Sequence, residues 1–348
     1  MDYRQFGRTG MRVSPIILGC GNFGGVGNLA DVGCDLDEAK SIMDRAVDFG
    51  INCFDTSNIY GAGASEIFVG KWLREKSAAV RDRLLICSKL GHPVENDTNA
   101  HGLSRRHIVA QAEASLRKLG VDYLDLYMMH TPDPHTPLEE TLAAFDDLVR
   151  GGKIRYFGCS GFPAWKVAKA LWIADRRNQA PVHWVQDSYS LIDRRLEQDM
   201  VPFCVEHGIG ITPFSPLAGG LLTGKYRRGE VPPEGSRVSL MPAIYNGMMS
   251  DETMAGLGAL DRFAKARGHS MAALSLAWLL AQPHVTAPIV GPRRREHLDV
   301  AVEALGIELL PGELAEMASF FSGQAGIRRI KLTGSEPSGP RPKTGTAG

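Results

Sequence analysis

Residues 51–63 read INCFDTSNIYGAG, a short apolar run that ends on Asp55 and reaches Tyr60 and a glycine turn five residues later. A buried strand ordinarily finishes on something neutral, because an ionised side chain taken out of water is costly unless it is paired. The same kind of ending recurs along the chain. The run at 84–89 (LLICSK) closes on Lys89, 123–130 (YLDLYMMH) on His130, 154–160 (IRYFGCS) on Ser160 and 182–186 (VHWVQ) on Gln186. Three more runs complete the set: 15–20 (PIILGC), 209–214 (IGITPF), followed by Ser215, and 286–290 (TAPIV), followed by Gly291. All are near-continuously apolar rather than alternating, as expected of parallel strands covered on both faces.

Helical patterns lie between these runs. Residues 37–49 carry Ile42, Ala46 and Val47 on one face, and 104–119 opens on Ser104 as N-cap and stops at Gly120. Further patterns occupy 138–149, 163–174, 194–205 and 271–280. Strands each followed by a helix or a long loop predict an α/β chain folded as a closed (β/α)8 TIM barrel, with an open doubly wound sheet as the other architecture that fits the alternation. Residues 3–16 predict an N-terminal β-hairpin turning at Arg8-Thr9-Gly10 and plugging the barrel from below, and 226–246 is a long loop after the seventh strand. The reading is one domain over 1–330 and a flexible tail over 331–348, whose TGSEPSGPRPKTGTAG has no apolar anchor and predicts disorder.

Composition narrows the function. The 348 residues are 44% apolar, enough for a substantial core, and Lys plus Arg and Asp plus Glu both total 39, so charge offers nothing for nucleic acid or an anionic membrane. The six cysteines are scattered without a CxxC, as in a reduced protein. The N-terminus lacks an apolar signal core and no run nears membrane-spanning length, so the expectation is a soluble cytoplasmic protein. A metal-dependent hydrolase would need several imidazoles or carboxylates together, whereas only His130 closes a strand, with His135 in the loop beyond, so no metal is expected. The GxGxxG of Gly19, Gly21 and Gly24 is a decoy for a dinucleotide fingerprint, because no helix pattern opens on its third glycine.

Strand ends of a (β/α)8 barrel converge on one mouth. Asp55, Lys89 and His130, with Tyr60 in the loop after Asp55, are therefore candidates for a shared site. The motifs around them, FDTSNIYGAGASE, ICSKLG, LYMMHTPDP, GKIRYFGCSGF, VQDSYSLI, PFSPLAGGLLTGKY and IVGPRRREHL, resemble in order and spacing those of the aldo-keto reductases. The opening QFGRTGMRVSPIILGCGNFGG resembles the bacterial and potassium-channel-β-like branch of that superfamily, and the likeness spans about 3–305.

The resemblance implies an NADPH-dependent oxidoreductase that reduces an aldehyde or ketone to an alcohol, reversibly. Tyr60 would be the general acid, Lys89 the cation that lowers its barrier, Asp55 the support for Lys89, and His130 a second donor to the carbonyl oxygen. It assigns Ser160, Gly161 and Gln186 to the nicotinamide carboxamide and Phe214 to the ring face. Ser215, Pro216, Leu217, Gly219, Gly220 and Lys225 match the pyrophosphate loop. Gly291, Arg293, Arg294, Arg295 and His297 match the adenosine end, where guanidinium groups suit a 2′-phosphate. Gly21 and Asn22 would border the cofactor, and Phe23, His92 and Tyr245 the substrate. The chain departs from the family pattern at Phe214 (often tyrosine), Gly161 (often asparagine) and Val300 and Ala301 (often Glu and Asn). His130 stands where a C=C-reducing subgroup has glutamate, which favours carbonyl reduction. The expected partner is a small carbonyl or alcohol substrate, with cyclic ketones, keto-sugars and aldehydes all open. The alternative is a non-catalytic, NADPH-bound regulatory subunit of the same fold.

Overall fold

A computed structural model describes residues 1–25, 33–94 and 97–322. The predicted tail at 331–348, the end of the predicted domain, and residues 26–32 and 95–96 lie outside the described residues. Strands β1 (Arg4–Gln5) and β2 (Arg12–Val13) pair antiparallel as the expected hairpin. The main sheet contains β3 (Ile17–Gly19), β4 (Cys53–Asp55), β5 (Leu85–Leu90), β6 (Leu124–Met129), β7 (Ile154–Ser160), β8 (Val182–Gln186), β9 (Gly210–Ile211) and β10 (Ile289–Val290). Its 8 strands are parallel and run in the order β10-β3-β4-β5-β6-β7-β8-β9. The two ends of that order meet: the Thr286 N–H donates to the Ile211 carbonyl and the Ile289 N–H to the Pro213 carbonyl, each at 2.8 Å. The sheet therefore curls into a barrel rather than lying open.

β9 and β10 are shorter than the runs 209–214 and 286–290 predict. Pro213 and Pro288 supply the reason, since proline has no N–H to continue a ladder. The outer layer begins with α1 (Leu36–Asp48), capped by the Asp35 side chain, then α2 (Ala64–Arg74) and the short α3 (Ala78–Arg81). Next come α4 (Arg105–Leu119), with the expected Ser104 cap and a left-handed Gly120 at φ 69°, α5 (Leu138–Arg150) and α6 (Ala164–Arg177). The pattern at 194–205 resolves into a 3-10 turn, Arg195–Gln198, followed by α7 (Met200–His207). The long loop after β9 contains α8 (Arg237–Leu240) and α9 (Pro242–Tyr245), and α10 (Asp251–Ala266), α11 (Met271–Leu280), α12 (His297–Ala304) and α13 (Pro311–Ser319) are the last helices among the described residues. The pattern reading leaves out the short α3, α8, α9, α12 and α13, and also the longer α2 and α10. In these last two, Gly70 and the pair Gly256 and Gly258 weaken the local propensity, and packing overrides it.

Period-two alternation decides what faces the barrel axis. Cys53, Cys87, Leu126, Met128, Trp184, Ala287 and Ile289 fill the interior, and Phe6 and Val13 of the hairpin plug it from below. Phe6 meets the Trp184 ring edge-on at 5.3 Å. Phe54, Ile86, Tyr127, Phe157 and Val185 point the other way, into the layer shared with the helices. Asp55, Lys89 and Gln186 each lie two residues beyond an interior apolar residue, so they are the next inward positions, at the open end. Among the described residues, no helix is long and apolar enough to cross a membrane.

Candidate active site

Lys89 is fully buried and Asp55 nearly so, and the ammonium donates a short hydrogen bond to Asp55 Oδ1. Two further acceptors complete its shell, the Thr56 carbonyl at 2.7 Å and the Tyr60 hydroxyl at 3.2 Å. The other Asp55 oxygen accepts from Gln186 Nε2 at 2.9 Å. Burial works against the Lys89 charge, but Asp55, helped by the phenol and by the hydrogen bond itself, outweighs it, so the lysine pKa stands above its ordinary value. The ammonium is thus held charged beside a phenol. Tyr60 behaves in the opposite sense: burial raises its pKa, Lys89 only partly offsets that, and the hydroxyl stays protonated across the neutral range.

His130 follows β6 directly. Its Nε2 lies 3.5 Å from the Tyr60 hydroxyl and its Nδ1 lies 3.2 Å from the Ser57 hydroxyl. In the tautomer where Nδ1 accepts from Ser57, Nε2 carries the proton and faces the position that an oxygen bound to Tyr60 would occupy. The His92 ring meets that of His130 edge-on at 4.8 Å. The loop that carries Tyr60 runs through left-handed backbone at Gly61 (φ 55°), Ala62 (φ 53°) and Gly63 (φ 92°), which turns the chain into α2.

Tyr60 opens onto a cavity of about 1780 Å³ that continues across the barrel mouth to the loop after β9 and the start of α12. Along that loop Ser215, Ala218, Gly219 and Gly220 all have positive φ. Left-handed backbone at Ser215 and Ala218 is uncommon and costs about 1 kcal/mol or more for each. A Cβ on Gly219 would lie 2.1 Å from the Tyr245 ring, so only glycine fits there.

Beyond this loop the cavity wall is cationic. Lys225, Arg237, Arg293 and His297 all line it. Burial, then Arg293 and Arg237, push the Lys225 pKa down, and burial, then Arg293 and Arg294, push that of His297 down. Arg237 reaches across from α8 and donates to Asn22 Oδ1 at 2.7 Å, while Asn22 Nδ2 donates to the Gly291 carbonyl at 2.8 Å. Basic groups gathered along one groove are arranged for a polyanion.

The structure gathers Asp55, Tyr60, Lys89 and His130 as the strand ends predict. It also puts Gly21, Asn22, Ser160, Gly161, Gln186, Phe214, Ser215, Pro216, Leu217, Gly219, Gly220, Lys225, Gly291, Arg293 and His297 on the cavity wall, with His92 and Tyr245. Two expectations need correcting. Phe23 is 0% exposed and packs in the layer beneath the helices, because alternation turns it away from the mouth when Asn22 faces in. Arg294 and Arg295 are exposed and off the cavity wall; the Arg295 N–H donates to Glu38 at 2.9 Å and its guanidinium lies 3.6 Å from Glu296. Gln186 directs its amide N–H at Asp55, so it supports the buried pair as well as lining the mouth. Arg237 was missed, because it sits in a segment whose only local signal is loop composition. Its position in PPEGSRVSL (232–240), just before a short helix, was the available clue. Among the described residues, no group of three or more His, Cys, Asp or Glu could hold a metal ion.

The family model of the Aldo/keto reductase family matches residues 15–321. The chain is 36% identical over 334 residues to an uncharacterized oxidoreductase, YrpG, of Bacillus subtilis, covering 94% of this chain and 98% of that one. It is 35% identical to L-glyceraldehyde 3-phosphate reductase of Escherichia coli strain K12, with 88% of each covered. It is 34% identical to a probable voltage-gated potassium channel subunit beta of Arabidopsis thaliana, with 88% of this chain and 92% of the other covered.

Proposed function

The chain belongs to the aldo/keto reductase family, and on that premise we propose that it reduces an aldehyde or ketone with NADPH, Tyr60 donating the proton. The observation that carries this reading is a protonated phenol on the cavity wall, 3.2 Å from a buried ammonium and 3.5 Å from an imidazole.

The residues present fit a phosphorylated dinucleotide. The positive-φ residues Ser215, Ala218, Gly219 and Gly220 shape a glycine-bearing loop of the kind that approaches pyrophosphate, and Lys225 and Arg293 beside His297 suit a further phosphate. Those cations favour NADPH over NADH. Arg237, linked to Asn22 on the opposite wall, would close over the bound dinucleotide. Phe214 offers an apolar ring face beside Gln186 and Ser160 for the nicotinamide. When bound, the reduced nicotinamide supplies the hydride.

The chain's own groups account for the proton. A carbonyl oxygen between the Tyr60 hydroxyl and His130 Nε2 receives two hydrogen bonds, and both strengthen as negative charge grows on it. Tyr60 gives up its proton to that oxygen, and Lys89, kept charged by Asp55, stabilises the phenolate that remains. In the reverse direction the same phenolate takes the proton of an alcohol.

The test is turnover of a panel of aldehydes and ketones, L-glyceraldehyde 3-phosphate among them, followed by nicotinamide absorbance. Tyr60→Phe should lower turnover by roughly a hundredfold while NADPH affinity stays within about twofold. Undiminished turnover would remove Tyr60 from the acid role. The potassium-channel name of one relative supports a second reading, a cofactor-bound regulatory subunit, which an absence of turnover across the panel would favour.

A further inference from the structure

The proposed chemistry makes no use of a buried polar cluster behind β5. Glu66, in the first turn of α2, is 0% exposed. Its Oε1 accepts the Ser88 hydroxyl at 2.6 Å, and its Oε2 lies 3.3 Å from Lys118 Nζ on α4. The Tyr127 phenol, also fully buried, has its pKa raised first by burial and then by Glu66. A carboxyl group in such a position is expensive to bury, and an apolar residue of similar volume would often serve stability as well or better. Its presence calls for a reason other than stability.

Connectivity supplies the reason. Ser88 immediately precedes Lys89 on β5 and faces the helices, so Lys89 faces the mouth. Glu66 belongs to the helix into which the Tyr60 loop runs. The Ser88 hydrogen bond therefore joins the strand bearing the ammonium to the helix behind the phenol. The loop between them is left-handed at Gly61, Ala62 and Gly63, a conformation held by its surroundings rather than by local preference. Its other end is tied by the Thr56 and Ser65 hydroxyls at 2.7 Å and by Ser65 Oγ donating to the Cys20 carbonyl at 2.8 Å.

We propose that Glu66 is a positioning residue: through Ser88 it holds α2 and β5 at the separation that keeps Lys89 Nζ against the Tyr60 oxygen. Lys118, two-thirds buried at the rim, lies 3.3 Å from the other carboxylate oxygen and supplies its counter-charge. This inference rests on the reading of Tyr60 as proton donor and Lys89 as the cation beside it.

The experiment compares Glu66→Ala, Ser88→Ala and Glu66→Gln in the full chain with NADPH and 4-nitrobenzaldehyde, an activated aldehyde. Glu66→Ala and Ser88→Ala each delete the link and should lower kcat by about tenfold, with the KM for aldehyde and the Kd for NADPH within about twofold of wild type. Glu66→Gln keeps an oxygen for the Ser88 hydroxyl and should retain most of kcat, a rescue that a loss of general stability would not produce. If Glu66→Ala fails to fold, Ser88→Ala carries the test alone, because it removes the hydrogen bond and leaves the carboxylate paired with Lys118. A folded Ser88→Ala with wild-type kcat, or a Glu66→Gln as impaired as a folded Glu66→Ala, would overturn the proposal. Tyr60→Phe, run alongside, separates the two levels: retained turnover there overturns the site reading and this inference together. Lost turnover in Tyr60→Phe with a normal Ser88→Ala overturns only the link.

Discussion

Replacing Asp55 by asparagine tests the central pair directly. The ammonium of Lys89 is 0% exposed and the carboxylate of Asp55 5%, so neither has water to fall back on. Asparagine removes the charge and also presents an amide that must turn its NH2 toward either Lys89 Nζ or Gln186 Nε2, both donors. Breaking a buried pair from one side costs about 3–5 kcal/mol. The Thr56 carbonyl at 2.7 Å and the Tyr60 hydroxyl at 3.2 Å still accept from the lysine, which argues for the lower part of that range. At roughly 2 °C per kcal/mol for a chain of this size, the melting temperature should fall by about 6–8 °C at pH 7.

The pH dependence gives the sharper signature. In the wild type the Lys89 pKa is raised, so its stabilising contribution is complete below the unfolded value of about 10.4 and is lost only as pH climbs through the higher folded value. In Asp55→Asn, burial persists without the counter-charge, and the folded lysine pKa drops below the unfolded one. The unfolded chain then binds more protons, so the variant's deficit should shrink as pH rises from 7 toward 10. Thermal unfolding of both proteins at the two pH values measures this. A gap equal at pH 7 and pH 10, or one below about 1 °C at pH 7, would refute the account of Lys89 as a buried cation held by one carboxylate. A double variant, Asp55→Asn with Lys89→Met, should recover most of the stability at pH 7 and remain inactive.

Gly219→Ala places a methyl group within 2.1 Å of the Tyr245 ring at a φ of 67°, and should weaken NADPH binding by about tenfold in fluorescence titration; an unchanged Kd would detach this loop from the dinucleotide. Trp184→Ala empties the barrel interior beneath the mouth and should cost about 3–5 kcal/mol in denaturant unfolding; a loss under about 1 kcal/mol would mean that Phe6 and its neighbours collapse into the space. Thiol titration with an aromatic disulfide reagent should find no fast-reacting cysteine in the native protein and all six after denaturation, since five are buried and the half-buried Cys34 has its pKa pushed up to about 12 by burial and then by Glu38 and Asp35. Rapid native labelling of two or more would contradict that burial.

The strand ends were readable because two properties coincide there. Apolar runs mark buried parallel strands, and a titratable residue closing such a run is hard to explain by packing, so Asp55, Lys89 and His130 stand out against their neighbours. The arginine triplet read less well: its three side chains look equivalent in sequence, but only Arg293 lines the cavity, since the turn that precedes α12 leaves Arg294 and Arg295 exposed. Phe23 and Asn22 are a similar case, adjacent in the chain and opposite in direction.

From the sequence alone came the strand count, the barrel and the identities of the groups at its mouth, because hydrophobic period and strand-end chemistry are properties of short segments. Tertiary structure decided which groups touch. Arg237 meets Asn22 across 215 positions, Gln186 meets Asp55 across 131, and Glu66 reaches Ser88 from another element. No local pattern records such separations, since they depend on how the closed sheet staggers its strands and on where long loops come to rest against it.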